Sequence, residues 1–143
     1  MEEYITVMET SNDSVSKAPI KWHLLHMLQV INGVVYTAAQ SDPDEYDSKS
    51  SFSWFYVSTF GKIPRGRGKA PASVNPSFDI SEEEIRQTLE AAKQSLAAWS
   101  DLEKKNYFSH PVFLDLKKSE IKRFLIVHTR HHLDIVEDFV EPI

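Results

Sequence analysis

The stretch SEIKRFLIVHTRHHLDIVEDF, residues 119–139, decides the fold of this 143-residue chain. Its apolar residues recur every three or four positions, which is the period of an α-helix with one buried face. On a helical wheel, His128 and His132 fall in the middle of this apolar stripe. The stretch therefore predicts a long final helix, from residues 117–119 to about 138, with two histidines directed into the core. The stripe consists of Ile121, Phe124, Leu125, Ile135 and Phe139.

Two histidines four residues apart on one helix face can bind one cation. Their Cβ atoms lie about 5–6 Å apart, so both rings can reach a metal ion about 2.0–2.1 Å from each nitrogen. Two neutral, hydrogen-bonded core histidines would give the same pattern. A third ligand would come from another helix, where His23 lies nearer the apolar arc and His26 toward its opposite side. The spacing leaves both alternatives open.

Three further segments have helical patterns. Residues 19–40 begin with Pro19, which suits the first turn of a helix. The aromatic-rich residues 51–60 fit a helix or a strand, of which we favour the helix. Ser81 and Glu84 form a capping box before a third stripe. With a short helix near residues 2–8 and little strand signal, we expect an all-α single domain over residues 1–143, an antiparallel four-helix bundle. The two stripes are Leu24, Leu28, Ile31 and Val35, and Ile85, Leu89, Ala92, Leu96 and Trp99.

Composition excludes several classes of function. The chain contains no cysteine, so disulfides and thiolate metal sites are excluded and a metal must be held by His, Asp or Glu. Its net charge of -5 opposes nucleic-acid binding. No apolar run of about 18 residues is present and the N-terminus does not resemble a signal peptide, so we expect a cytoplasmic protein without membrane contact.

The region between the second and third helical segments predicts a long irregular loop over residues 61–76, of the kind that often borders a site. Its basic residues are typical of a solvated surface. His110 precedes a proline and reads as part of an extended turn, whereas His131 at the edge of the final stripe suits either a supporting contact to a metal ligand or a boundary position. The basic residues of this loop are Lys62, Arg65, Arg67 and Lys69, and its prolines are at 64, 71 and 76.

Four segments in order resemble one family. LLHMLQVI (24–31), GKIPRGRGKAP (61–71), HPVFLDLKKSE (110–120) and HTRHHLDIV (128–136) are similar to motifs of the DinB-like, or YfiT-like, metalloenzymes, in a branch catalogued as a domain of unknown function. The resemblance implies a four-helix bundle and a metal held by three histidines. Carried over by motif, these are His26, His128 and His132, because the first motif matches in register at His26. Ile135 stands where relatives often have glutamine.

The resemblance also implies a function. A three-histidine site leaves coordination positions open, and imidazole ligands suit a divalent ion, zinc or nickel first and iron or copper as alternatives. We expect a metal-dependent thiol transferase or hydrolase acting on an unidentified small molecule. The alternative is a non-catalytic bundle for binding, stress response or oligomer formation, with a structural or vestigial metal site.

Further side chains allow both a functional and a structural interpretation. The aromatic residues of 52–60 could form a homodimer face, although core packing is the explanation that we favour. Four residues could line a pocket but are better explained by packing or by surface exposure, and two acidic residues read as solvated helix charges. The first set is Tyr36, Trp54, Tyr56 and Arg65, and the second is Asp134 and Glu137.

Overall fold

The computed structural model describes residues 1–66 and 68–140, so Arg67 of the basic loop lies outside the described residues. The protein is mostly helical, as predicted. The described helices and strands are α1 (Glu2–Ile5), α2 (Ile20–Gln40), α3 (Phe52–Phe60), α4 (Glu82–Ala97), β1 (Tyr107–His110), β2 (Leu114–Lys117) and α5 (Lys118–Val140). Short 3-10 turns lie at Pro43–Glu45, Ala72–Val74 and Ala98–Asp101, one of them inside the segment predicted to be irregular.

The hairpin β1–β2 corrects the prediction of an all-α chain. The two strands pair antiparallel, with His110 opposite Leu114, and three residues connect them. The turn is closed by the His110 ring, whose Nδ1 accepts the backbone N–H groups of Val112 and Phe113 at 3.1 Å each. Leu114 then adopts a left-handed backbone with φ of 64°. The sequence signal was absent because such a turn usually carries glycine or asparagine at the left-handed position.

Helix α2 is the centre of the molecule, since it packs against both α4 and α5. It is therefore buried on more than one face, and its predicted stripe is buried throughout. The stripe of α5 is also buried, apart from a half-buried Phe139. On α4 the prediction is wrong at Leu96, which is 49 % exposed. Its neighbour Ser95 faces α2 instead and donates a hydrogen bond of 2.8 Å to Asn32.

Helix α3 forms where the pattern was ambiguous, because Ser51 caps it by accepting the Trp54 N–H. Core packing was the wrong explanation for most of its aromatic residues. Only Trp54 and Val57 are buried, and the Trp54 indole N–H donates to Glu120 of α5 at 3.2 Å. The opposite face of α3 points away from these contacts. That face exposes Phe52, Phe55, Tyr56 and Phe60.

The long loop after α3 returns to the central helix. It begins at Gly61, whose φ of 64° and N–H bond to the Val57 carbonyl end α3 in the manner favoured for glycine. The segment Ala72–Val74 packs against α2. At the far end Ser81 caps α4 through the Glu84 N–H, at 3.1 Å, as the capping-box pattern predicted. Over residues 1–66 and 68–140, no helix has the length and apolarity needed to cross a membrane.

Candidate metal centre

Three of the predicted site residues lie together between α2 and α5. His26, His128 and His132 each offer a ring nitrogen, and these three atoms all lie within 4.8 Å of one another. The Nε2 atoms of His26 and His128 are 3.2 Å apart. Two nitrogens bound to one tetrahedral ion at about 2.0–2.1 Å would be about 3.3 Å apart. The spacing therefore fits a shared divalent cation.

The loop orients the ring of His26. Its Nδ1 donates a hydrogen bond of 2.5 Å to the Val74 carbonyl, so Nε2 carries the lone pair of the neutral ring. Trp22, one turn earlier on α2, stacks on the ring with centroids 4.7 Å apart and planes 13° apart. The Trp22 indole N–H donates in turn to the Pro76 carbonyl at 3.1 Å. Backbone carbonyl anchoring of this kind is typical of metal-binding histidines.

His128 has the least satisfied ring. The residue is half-buried, and its Nδ1 is closed off from solvent without a hydrogen-bond partner among residues 1–66 and 68–140. Buried polar atoms without a partner are rare and call for an explanation. A cation bound to Nε2 would explain it. The ion would hold the ring in its neutral form with the proton on Nδ1, and the free energy of metal binding would offset the cost of the unpaired Nδ1–H. The donor set of three neutral imidazoles is also one that divalent metals accept.

His132 is within hydrogen-bond distance of His23. The two Nδ1 atoms are 2.9 Å apart, and the Nε2 of His23 lies 3.1 Å from the Ser16 hydroxyl. His23 is as buried as His26, at 4 % exposure, yet it does not belong to the group of converging ring nitrogens. The helical wheel placed His26 opposite the apolar arc because it assumed one buried face on α2. This helix is buried on two faces, and His26 lies on the second.

Burial keeps the clustered histidines neutral. It lowers the pKa of His23 to about 4, with the nearby His26 as the next cause, and it lowers the pKa of His128 to about 3. The pKa values of His26 and His132 are also lowered, in each case chiefly by burial. At neutral pH these rings therefore carry no charge and keep one lone pair each, which is the form that binds metals.

The other two histidines have different surroundings. His131 is half-buried and packs edge-on against His132 with centroids 5.0 Å apart; its pKa is lowered by burial and then by Arg65. No hydrogen bond joins it to the triad in the described part of the chain. His110 lies at the hairpin turn and stacks on Phe113 with ring centroids 4.2 Å apart, in agreement with the predicted structural role.

The suggested pocket residues have other roles. Tyr36 is 70 % exposed and Trp54 is in the core. Arg65 pairs with Asp138 at 2.6 Å. The two acidic residues of α5, Asp134 and Glu137, both pair with Arg130.

The sequence interpretation missed two supports of the site. Trp22 precedes His26 by four residues, so helical spacing was a signal that could have found it. Ser16 lies in the irregular segment before α2, where no periodicity exists to place it.

Comparison with known proteins identifies the family of the chain. A family model described as the DinB superfamily matches residues 13–136, a range that includes all three histidines of the triad. No curated protein and no solved structure matches the chain. Because the family model covers most of the 143 residues, the chain belongs to the DinB superfamily.

Proposed function

We propose that His26, His128 and His132 bind one divalent metal ion, and that the protein is a metal-dependent transferase, of the thiol S-transferase type, or a hydrolase. The observation that supports this most is the convergence of three ring nitrogens within 4.8 Å. Three protein ligands leave at least one coordination position for water or substrate, the arrangement typical of catalytic sites.

The bound ion would polarise a substrate or lower the pKa of a bound water toward about 7. The protein's own contribution is to hold the ligands in place. Val74 fixes the proton of His26 on Nδ1, and the stacked Trp22 restricts the same ring. The carboxylates of Asp134 and Glu137 are occupied by Arg130, so they do not serve as the base in this proposal. We propose zinc or nickel as the ion, with iron or copper as alternatives, since all accept imidazole nitrogen.

The second candidate is a structural metal in a non-catalytic protein. The burial of the ligands favours it, because His26 is 4 % and His132 is 8 % exposed and substrate access would be restricted. A structural ion would contribute directly to folding free energy. The two candidates therefore differ in turnover and in the dependence of stability on metal.

The experiment that separates them uses metal-loaded protein and a panel of thiol, amide and ester substrates. We expect turnover in the wild type and none in His128→Ala, with His110→Ala as the control that removes a half-buried histidine outside the triad. Metal binding without turnover on any substrate would contradict the enzyme and favour the structural role. No binding of zinc, nickel, iron or copper would contradict both.

Fold, assembly and location complete the proposal. We propose that α2 to α5 form the antiparallel four-helix bundle of one domain over residues 1–143, in a cytoplasmic protein that does not bind nucleic acid. The exposed aromatic face of α3 is the surface proposed for a homodimer, since large apolar patches often mark interfaces. Sedimentation of the wild type against Phe52→Ser and Phe55→Ser tests it, because both changes should give monomers.

A further inference from the structure

A chain of hydrogen bonds runs from the triad to the segment before α2. The His132 and His23 Nδ1 atoms are 2.9 Å apart, and His23 Nε2 lies 3.1 Å from the Ser16 hydroxyl oxygen. That oxygen also accepts the Ala18 backbone N–H at 3.1 Å. The metal ligands alone leave His23 and Ser16 without a role.

The direction of this chain is coupled to metal binding. A hydrogen bond between two Nδ1 atoms contains one proton, so one ring donates and the other accepts. If His132 donates, its Nε2 is bare and can bind a cation. The proton of His23 then lies on Nε2 and is donated to Ser16, whose oxygen has two lone pairs and accepts both this bond and that of Ala18.

The reverse direction is incompatible with a ligand. In it the Ser16 hydroxyl donates to His23 Nε2, and His23 Nδ1–H donates to His132. The proton of His132 then lies on Nε2, the nitrogen not engaged by His23. Only the first direction leaves a lone pair on His132 Nε2.

We propose that His23, supported by Ser16, is a positioning residue of the metal site: it accepts the Nδ1–H of His132 and thereby keeps the Nε2 of His132 bare and available to the ion. This rests on the proposed metal site. His23 is suited to the role because it is 4 % exposed and its ring packs edge-on against that of Trp22, with ring centroids 5.2 Å apart. It is not a fourth ligand, since both of its nitrogens are engaged by His132 and Ser16.

Zinc titration of four variants tests the assignment. His23→Leu removes the acceptor and should weaken Zn²⁺ binding about 10–100-fold at an unchanged one ion per chain, the usual effect of losing a ligand's support. His23→Asn places an amide oxygen near the former Nδ1 and should recover most of the affinity. Ser16→Ala should show a smaller loss. Ser14→Ala is the matched control, because Ser14 is exposed and its hydrogen bonds within the described residues join it to Asn12 of its own turn.

A second measurement does not depend on the variants folding. Nitrogen-15 NMR of the histidine side chains in zinc-loaded wild type should find the proton on Nδ1 of His132 and on Nε2 of His23. A zinc-bound nitrogen on His23, or a protonated Nε2 on His132, would overturn the assignment. So would wild-type zinc affinity in folded His23→Leu.

The outcomes separate this inference from the proposed function. If the wild type binds zinc, His26→Ala does not, and His23→Leu binds as the wild type does, only the role of His23 is wrong. If the wild type binds none of zinc, nickel, iron and copper, both proposals are wrong. A change in melting temperature without a change in zinc affinity would assign His23 to the core alone.

Discussion

The hairpin turn and the seam between α2 and α5 use histidine rings that are shielded from water in opposite ways. Burial lowers the pKa of His110 in the turn to about 4, and that of His23 in the seam to about 4. In the turn the Nδ1 lone pair of His110 receives two backbone N–H groups. In the seam the nitrogens of His26 and His128 face each other at 3.2 Å.

The contrast shows which observation indicates a site. A lowered pKa reports burial and occurs in both regions. What differs is where the lone pairs point, because those of the turn are satisfied by the chain itself and those of the seam converge. Convergence of ring nitrogens, as at Nε2 of His26 and His128, together with an unpartnered atom, His128 Nδ1, is therefore the better indication of a ligand than the shift in pKa.

The largest expected effect is that of acid on the metal-free protein, in which both regions contribute. The unfolded histidines bind protons below about pH 6.5, whereas the folded pKa values are lower, so stability is present above pH 6.5 and is lost as the pH falls. At pH 5, His23 and His110 should each cost about 2 kcal/mol. Urea unfolding at pH 7.5, 6 and 5 measures this. Equal midpoints at all three would contradict the neutral buried rings.

Zinc should distinguish the regions. A ligand at about 100 times its dissociation constant stabilises a fold by about 2.7 kcal/mol if it does not bind the unfolded chain. We expect this gain in wild type and in His110→Ala, and none in His132→Ala. Urea unfolding at pH 7.5 with and without zinc provides the measurement. Equal gains in all three proteins would place the binding elsewhere.

His110→Ala should affect folding alone. The change leaves the N–H groups of Val112 and Phe113 without their acceptor and removes the stack on Phe113, for about 2 kcal/mol of lost stability. Zinc affinity should equal that of the wild type. A loss of zinc affinity with the fold retained would erase the distinction between the turn and the seam.

The patterns predicted the helices well because α2 and α5 have apolar stripes at helical spacing, and the resemblance selected the three histidines that converge. The hairpin was missed since its turn relies on the His110 ring and on a left-handed Leu114, neither of which has a turn signature. The support of His132 by His23 was missed for another reason: it joins positions 109 residues apart and depends on ring orientation.

The smallest expected effect concerns the same turn. Leu114 has φ of 64° and is 42 % exposed, so Leu114→Gly removes left-handed strain at little loss of packing. It should stabilise the protein by about 1 kcal/mol. The urea midpoint checks the sign, with Leu116→Gly, a buried residue of the same strand, as a control that should destabilise. A destabilised Leu114→Gly would show that this side chain matters more than its backbone strain.

The most direct test of the account is metal content by mass spectrometry of untagged protein, for wild type, His128→Ala, His132→Ala and His110→Ala. We expect close to one zinc or nickel ion per chain in wild type and in His110→Ala, and a loss of the ion in both triad variants. A wild type without metal that also fails to take up added zinc and nickel would contradict it.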